Sequence, residues 1–206
     1  MGVGFAVGVA VGATVGSAVG TPVAVGASVG CSVVCLLVQA AKNTKSIAIR
    51  IDYGPFSYFT GGDITWGISD SEGKQINLEA QTGKVCGEVD VCKSNHHSYK
   101  DSMHEEFLEA VKAKHYISCT WDLQHTQPEI LKRMLSKSNC TIFHQYLWPE
   151  QMAKHQGEEW TKDVIEQGHI IVKAYDKGKK YKIYVVSAED EEMIVKAIYG
   201  PYNSAL

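Results

Sequence analysis

The first 41 residues carry no charged side chain, and the composition changes abruptly at Lys42. Glycine recurs at every fourth position from 4 to 20, within a background of valine, alanine, serine and threonine. Such G-x-x-x-G steps line one face of a membrane helix with small residues, and the segment is long enough to span a bilayer. Glycine is a poor helix former, however, Pro22 interrupts the segment, and Val-Gly alternation is also typical of low-complexity sequence. Residues 1–41 are therefore predicted to be a membrane segment or a low-complexity lead, with a signal or a buried element as the remaining alternatives.

Positive charges follow this apolar segment directly, at Lys42, Lys45 and Arg50. If the segment spans a membrane, these charges favour a cytoplasmic position for the part that follows. The six cysteines show neither zinc-ribbon spacing nor a C-x-x-C motif, which indicates buried free thiols in a reducing compartment. The predicted location is cytoplasmic, or membrane-anchored with a cytoplasmic C-terminal domain.

The net charge of the chain is −3 and its isoelectric point is near 6.2. A protein that binds nucleic acid through bulk charge is normally strongly basic. Nucleic acid is therefore expected here as a substrate at most, and not as a partner held by a basic surface.

Residues 42–206 have the pattern of one folded domain in which strands and helices alternate. Strands are predicted at 46–52, 56–60, 84–94, 115–120 and 141–144, and in a closing hairpin of 169–175 with 181–186. Helices are predicted to begin at a capping box of Ser102 and Glu105 and near Pro128. The acidic segment 188–192 is interpreted as a solvated helix start. The predicted class is α/β, of the α+β sandwich type, with helices covering a sheet.

Two of the predicted strands are followed by residues of types that frequently bind metal ions. Asp63 follows Gly61-Gly62, where the glycines let the backbone turn tightly. The adjacent pair His96 and His97 follows the next strand. A carboxylate with imidazoles at neighbouring strand ends is a frequent ligand set for zinc or a similar divalent ion.

The order of three motifs resembles the C-terminal half of the metallo-β-lactamase-fold hydrolases, in particular the branch that contains the hydrolase domain of the bacterial DNA-uptake channel protein. The motifs are F-S-Y-F-T-G-G-D at 56–63, G-E-V-D-V-C-K-S-N-H-H-S at 87–98 and D-S-M-H-E-E-F-L-E-A-V at 101–111, and the resemblance covers about residues 46–186. A looser match is H-T-Q-P-E-I-L at 125–131. The resemblance implies an αββα fold and hydrolysis of phosphodiester or other ester bonds by a metal-bound hydroxide.

Four residues receive roles from this resemblance. It implies that Asp63 is a metal ligand that bridges two ions, and that one of His96 and His97 is a further ligand while the other lies behind it or against substrate. It also implies a catalytic histidine of the following loop at His125. Zinc or manganese, weakly bound, is the implied cofactor. Ser98 stands where the family often has glycine.

The first half of the family pattern is absent from this chain. That half carries a His-x-His-x-Asp-His loop, whereas none of the eight histidines here precedes residue 96. The chain is therefore interpreted as 1–41 followed by a partial domain, 42–206, which is a truncated or degenerate hydrolase homologue. The alternatives are a hydrolase completed by a second chain or by a homo-oligomer, and a membrane-anchored structural or interaction module without catalysis.

Overall fold

In the computed structural model, the described residues are 23–27, 31–37, 46–69, 72–120, 125, 127–146, 149–165, 168–189 and 191–205. They form a mixed α/β structure in which a large sheet is covered by helices on one face and by a smaller sheet on the other. The coarse fold-class prediction is thereby confirmed.

The strands and helices follow one another in this order. The strands are β1 (Val23–Ala27), β2 (Cys31–Leu37), β3 (Ile47–Tyr53), β4 (Phe56–Thr60), β5 (Ile68–Ser69), β6 (Gln75–Ile76), β7 (Val91–Lys93), β8 (His115–Ser118), β9 (Thr141–His144), β10 (Val164–Ile165), β11 (His169–Tyr175), β12 (Lys180–Val186) and β13 (Val195–Asn203). The helices are α1 (Leu78–Cys86), α2 (Glu105–Val111), α3 (Pro128–Lys137) and α4 (Pro149–Ala153). Short 3₁₀ turns lie at Asn95–Ser98 and Glu159–Asp163.

The large sheet has the strand order β1-β2-β3-β4-β7-β8-β9-β10. Strands β1 to β4 are antiparallel neighbours, whereas β4, β7, β8, β9 and β10 run parallel to one another. Because parallel strands all end at the same edge, the loops that follow β4, β7, β8 and β9 meet there.

Alternate residues of the parallel strands enter two different cores. On one face, side chains such as Phe59, Cys92 and Tyr116 pack against the apolar sides of α1, α2 and α3. On the other face, Val91 and Ile117 belong to a second core, which the small sheet β11-β12-β13 completes. This period-two division explains why the strands are apolar throughout rather than alternating.

Several elements begin or end where the sequence predicts. The hairpins β3-β4 and β11-β12 are confirmed, as are strands β8 and β9 and helix α3 with Pro128 in its first turn.

Other predicted elements are wrong. Of the strand predicted at 84–94, only Val91–Lys93 forms; residues 84–86 are the end of helix α1, whose N-cap Asn77 accepts from Ala80 N. The capping box at Ser102 does not form, because Met103 has a left-handed backbone and His104 is the N-cap of α2. The acidic segment 188–192 begins no helix in its described residues, and strand β13 after it was not predicted.

Most of the segment 1–41 lies outside the described residues. Its described parts are β1 and β2, and β2 pairs with β3 along its whole length. Within the described residues there is no helix whose length and apolar character would let it cross a membrane.

Candidate functional site

Asp63, His97 and His125 lie together at the edge of the sheet where the parallel strands end. Asp63 follows β4, and its Oδ1 atom is 3.3 Å from Nε2 of His97, which follows β7. The ring of His125 stacks on that of His97, with ring centroids 4.9 Å apart. Crevices at this edge of parallel sheets are frequent ligand sites. We refer to these three residues as the edge site.

A strained turn presents the two adjacent histidines. His96, His97 and Ser98 all have left-handed backbones, with φ of 40°, 55° and 58°. Each such conformation of a non-glycine residue costs on the order of 1–3 kcal/mol, and the strain persists only where surrounding contacts impose it. Here Ser98 Oγ lies 2.7 Å from Ser118 Oγ, and His96 N donates to the carbonyl of Gly62 at 3.1 Å. The turn therefore holds its histidines in one orientation.

A buried carboxylate anchors both ends of the segment 95–104. Glu79 of α1 is fully buried and accepts from Asn95 Nδ2, Met103 N and His104 N, each at 2.8 Å. Burial raises the pKa of Glu79 to about 7, although all three hydrogen bonds act to lower it. Because Asn95 directly precedes His96, Glu79 fixes the start of the histidine turn from beneath.

Gly61, two residues before Asp63, allows a close approach of two loops. A Cβ atom on Gly61 would lie 2.4 Å from Asn95 Oδ1 and 2.7 Å from Ile64 Cδ1, so no larger residue fits without displacement. The backbone N–H of Asp63 donates to Ser46 Oγ at 3.1 Å. Gly61 is therefore required by packing, and Gly62, whose φ is 59°, is required by the turn.

The hydrogen bonds of His97 define which ring nitrogen faces Asp63. Nδ1 lies 2.6 Å from the carbonyl oxygen of Cys119, which can only accept, so Nδ1 carries a proton. Burial lowers the pKa of His97, and the charges of Lys93 and His125 lower it further, whereas the bond to Cys119 and the charge of Asp63 raise it. In the neutral ring, Nε2 therefore has a lone pair directed at Asp63.

His96 occupies a different environment. Its Nδ1 atom lies 2.8 Å from Asp101 Oδ1, and this hydrogen bond raises the pKa of His96 despite partial burial. Its ring meets that of Tyr99 edge-on, with centroids 5.5 Å apart. The sequence left open which of the two histidines faces Asp63; in the structure it is His97.

The edge site is open to solvent and is influenced by the charge of Lys93. The side chain of Asp63 is 47% exposed and that of His97 is 14% exposed. Lys93, the last residue of β7, donates to the carbonyl of Ser94 at 3.1 Å, and its charge acts on His97. The edge site can therefore exchange protons and small solutes with water.

Sequence reasoning did not identify Glu79, Lys93, Asp101 or Cys119 as neighbours of the edge site. Glu79 stands in a stretch that was interpreted only as polar, and Cys119 contributes its backbone. Asp101 was available as a signal, since a carboxylate five residues after a histidine pair can turn back to orient one ring.

Comparison with models of protein families, with curated proteins and with solved structures gives no match for this chain. Across the described residues, no group of three or more histidine, cysteine, aspartate or glutamate side chains is arranged to hold a metal ion. Asp63 and His97 are thus a pair of nitrogen and oxygen donors rather than a complete ligand set.

Proposed function

We propose that this chain is a partial metallo-β-lactamase-fold hydrolase homologue, corresponding to the C-terminal half of the αββα fold. In this proposal the edge site binds a divalent ion weakly and the chain alone has little or no hydrolytic activity. The order of the three sequence motifs supports the family assignment, and the layered arrangement of helices, large sheet and small sheet is compatible with it. The observation that carries the proposal is the contact between Asp63 Oδ1 and His97 Nε2 at 3.3 Å.

Two acceptor atoms face each other in that contact. Because Nδ1 of His97 donates to Cys119, the neutral ring directs a lone pair from Nε2 toward the Asp63 carboxylate. Two lone pairs repel at this distance unless a proton or a cation lies between or beside them. A carbonyl that holds Nδ1–H is also the usual support of a metal-binding histidine, because it fixes the tautomer and the ring orientation.

The donor types of the pair fit zinc or manganese, which accept imidazole nitrogen and carboxylate oxygen. A divalent ion bound there would act as a Lewis acid on a phosphoryl or carbonyl oxygen of a substrate. His125, stacked on His97, would line the same side of the site and could exchange a proton with a bound substrate. Two ligands give weak binding, since structural and catalytic zinc sites use three or four protein ligands.

Calorimetric titration of the purified chain, residues 1–206, with zinc chloride tests the binding step. We expect weak, saturable binding that Asp63→Ala or His97→Ala lowers by about tenfold or more. The matched control is His155→Ala, which removes a histidine paired with Glu158 away from the edge site. Equal zinc affinity in all four proteins would contradict the proposal.

Hydrolysis of bis(p-nitrophenyl) phosphate with added zinc or manganese tests the catalytic step. We expect no turnover above buffer. Turnover that disappears in both Asp63→Ala and His97→Ala would instead support a site completed by a second chain. Light scattering would then show whether the active species is a homo-oligomer.

A further inference from the structure

The small sheet collects lysines on the face that points away from the core. Residues 173–182 contain five lysines and a single carboxylate, Asp176. Lys173, Lys180 and Lys182 lie on β11 and β12, and Lys177 and Lys179 lie in the exposed turn between these strands. We call these five lysines the lysine face. The negative net charge of the whole chain does not reveal this local cluster of lysines.

The register of the sheet places like charges opposite each other. Lys173 pairs directly with Lys182 across β11 and β12. Both side chains leave the sheet on the outer side, because their neighbours Val172 and Ile183 pack into the second core. Like charges in directly opposite positions destabilise a sheet. This arrangement is unfavourable in the isolated domain and becomes favourable when an anion binds.

Many lysines elsewhere in the described part of the chain form ion pairs. Those that form ion pairs with glutamate or aspartate are Lys84, Lys112, Lys114, Lys132, Lys137, Lys162 and Lys196. Within the same described residues, none of the five lysines of the lysine face forms an ion pair. Among the described carboxylates, therefore, none neutralises their positive charge by an ion pair.

Aromatic and aliphatic side chains lie between these lysines on the same face. Tyr175 is opposite Lys180, and Tyr184 lies in a row between Ile171 on β11 and Ile198 on β13. Both tyrosines are half-buried, whereas Ile171 and Ile198 are 43% and 55% exposed. Sites that bind single-stranded nucleic acid combine cations, which contact the backbone, with aromatic side chains, on which the bases stack.

The distribution of charge along the small sheet distinguishes a single strand from a membrane. The connection between β12 and β13 carries Glu189, Glu191 and Glu192 in exposed positions, beside the exposed Met193 and Ile194. An anionic bilayer lying across this face would meet those carboxylates as well as the lysines. A flexible single strand can follow the lysine half alone.

We propose that the lysine face binds single-stranded nucleic acid through its phosphate groups, with bases against Tyr184 and Tyr175. This binding does not depend on the edge site. The phosphates supply the negative charge that no described carboxylate supplies to the Lys173–Lys182 pair by an ion pair.

Fluorescence anisotropy of a labelled 20-mer of deoxythymidine with the chain of residues 1–206 tests this proposal. We expect binding that weakens with rising salt, with a slope of about −0.7 for each phosphate contacted. Lys173→Glu together with Lys182→Gln should weaken binding at least tenfold and flatten the salt dependence. Tyr184→Ala should weaken binding about fivefold or more at constant salt slope.

A single substitution separates binding from folding. Lys173→Glu alone replaces a like-charge pair with an opposite-charge pair, so the thermal midpoint should stay level or rise while binding falls. The matched control is Lys112→Gln with Lys137→Gln, which removes one exposed and one partly exposed lysine on the helical side and should leave binding within about twofold. Equal binding by the lysine-face variants and the control variant would overturn the proposal. Sedimentation with phosphatidylserine vesicles, without oligonucleotide binding, would also overturn it.

Discussion

Nε2 of His97 lies 3.3 Å from Oδ1 of Asp63, although the two residues follow different strands of the large sheet. The turn that presents His97 is strained, and hydrogen bonds to three distant segments impose its conformation. Asn95 donates to Glu79, Ser98 bonds to Ser118, and His96 N donates to the carbonyl of Gly62. A histidine held in this way loses little further freedom when it binds a ligand.

The charges around the two adjacent histidines predict separate titrations. Asp63→Asn should lower the pKa of His97 further, because the Asp63 charge now opposes the effect of burial. Asp101→Asn should lower the pKa of His96, whose increase comes first from the Asp101 hydrogen bond. NMR titration of the imidazole carbon-bound protons, in the presence of a metal chelator, measures both values. Each substitution is the control for the other, and equal effects on both rings would contradict the assigned contacts.

The buried carboxylate of Glu79 predicts a loss of stability as the pH rises. Its pKa in the folded chain, about 7, lies above the ordinary value of 4.5, so its contribution is present below pH 4.5 and is lost as the pH rises through 7. Relative to Glu79→Gln, the wild-type free energy of unfolding should fall by roughly 2–4 kcal/mol between pH 4.5 and 7. Urea unfolding at several pH values measures this difference. The control substitution is Glu109→Gln, at an exposed position on α2.

The buried ring of His115 predicts the opposite dependence on pH. Burial lowers the pKa of His115 to about 4, so its contribution is present above pH 6.5 and is lost as the pH falls through 4. The ring packs on Tyr202 with centroids 4.3 Å apart, within the second core. His115→Phe should therefore gain on the order of 2–3 kcal/mol over the wild type between pH 6.5 and 4.

Acid unfolding followed by circular dichroism measures that gain. The control is His169→Phe, which changes an exposed histidine. If His115→Phe and the wild type lose stability in parallel below pH 6.5, the ring is not held neutral by burial.

The close approach at Gly61 predicts a steric penalty. In Gly61→Ala, the added Cβ atom would meet Asn95 Oδ1 at 2.4 Å, which should destabilise the fold by about 1–3 kcal/mol and shift the histidine turn. Gly83→Ala, whose Cβ atom would be 3.1 Å from Phe107, should cost less because alanine also favours the helix. Chemical denaturation measures both, and equal stability of the two variants would contradict the prediction.

Local patterns in the sequence predicted the elements whose signals are strong and short in range. Alternating residues around Gly54-Pro55 predicted the β3-β4 hairpin, and Pro128 with an apolar stripe predicted α3. The same patterns failed at residues 84–90, because Val85 and Cys86 favour a strand, whereas Asn77 caps a helix that begins at Leu78 and runs through both residues. Composition could not predict the lysine face, since a sum of charges contains no information about their register.

The sequence by itself determined which chemical groups were available at the strand ends: the Asp63 carboxylate and the imidazoles of His96, His97 and His125. Only the tertiary structure decided that His97 rather than His96 faces Asp63, because hydrogen bonds to Asp101 and to the Cys119 carbonyl orient the two rings differently. Residues adjacent in the chain point in different directions in a strained turn, and the contacts that fix those directions come from distant segments. The lysine face has the same origin, since pairing of β11 with β12 is what brings Lys173 opposite Lys182.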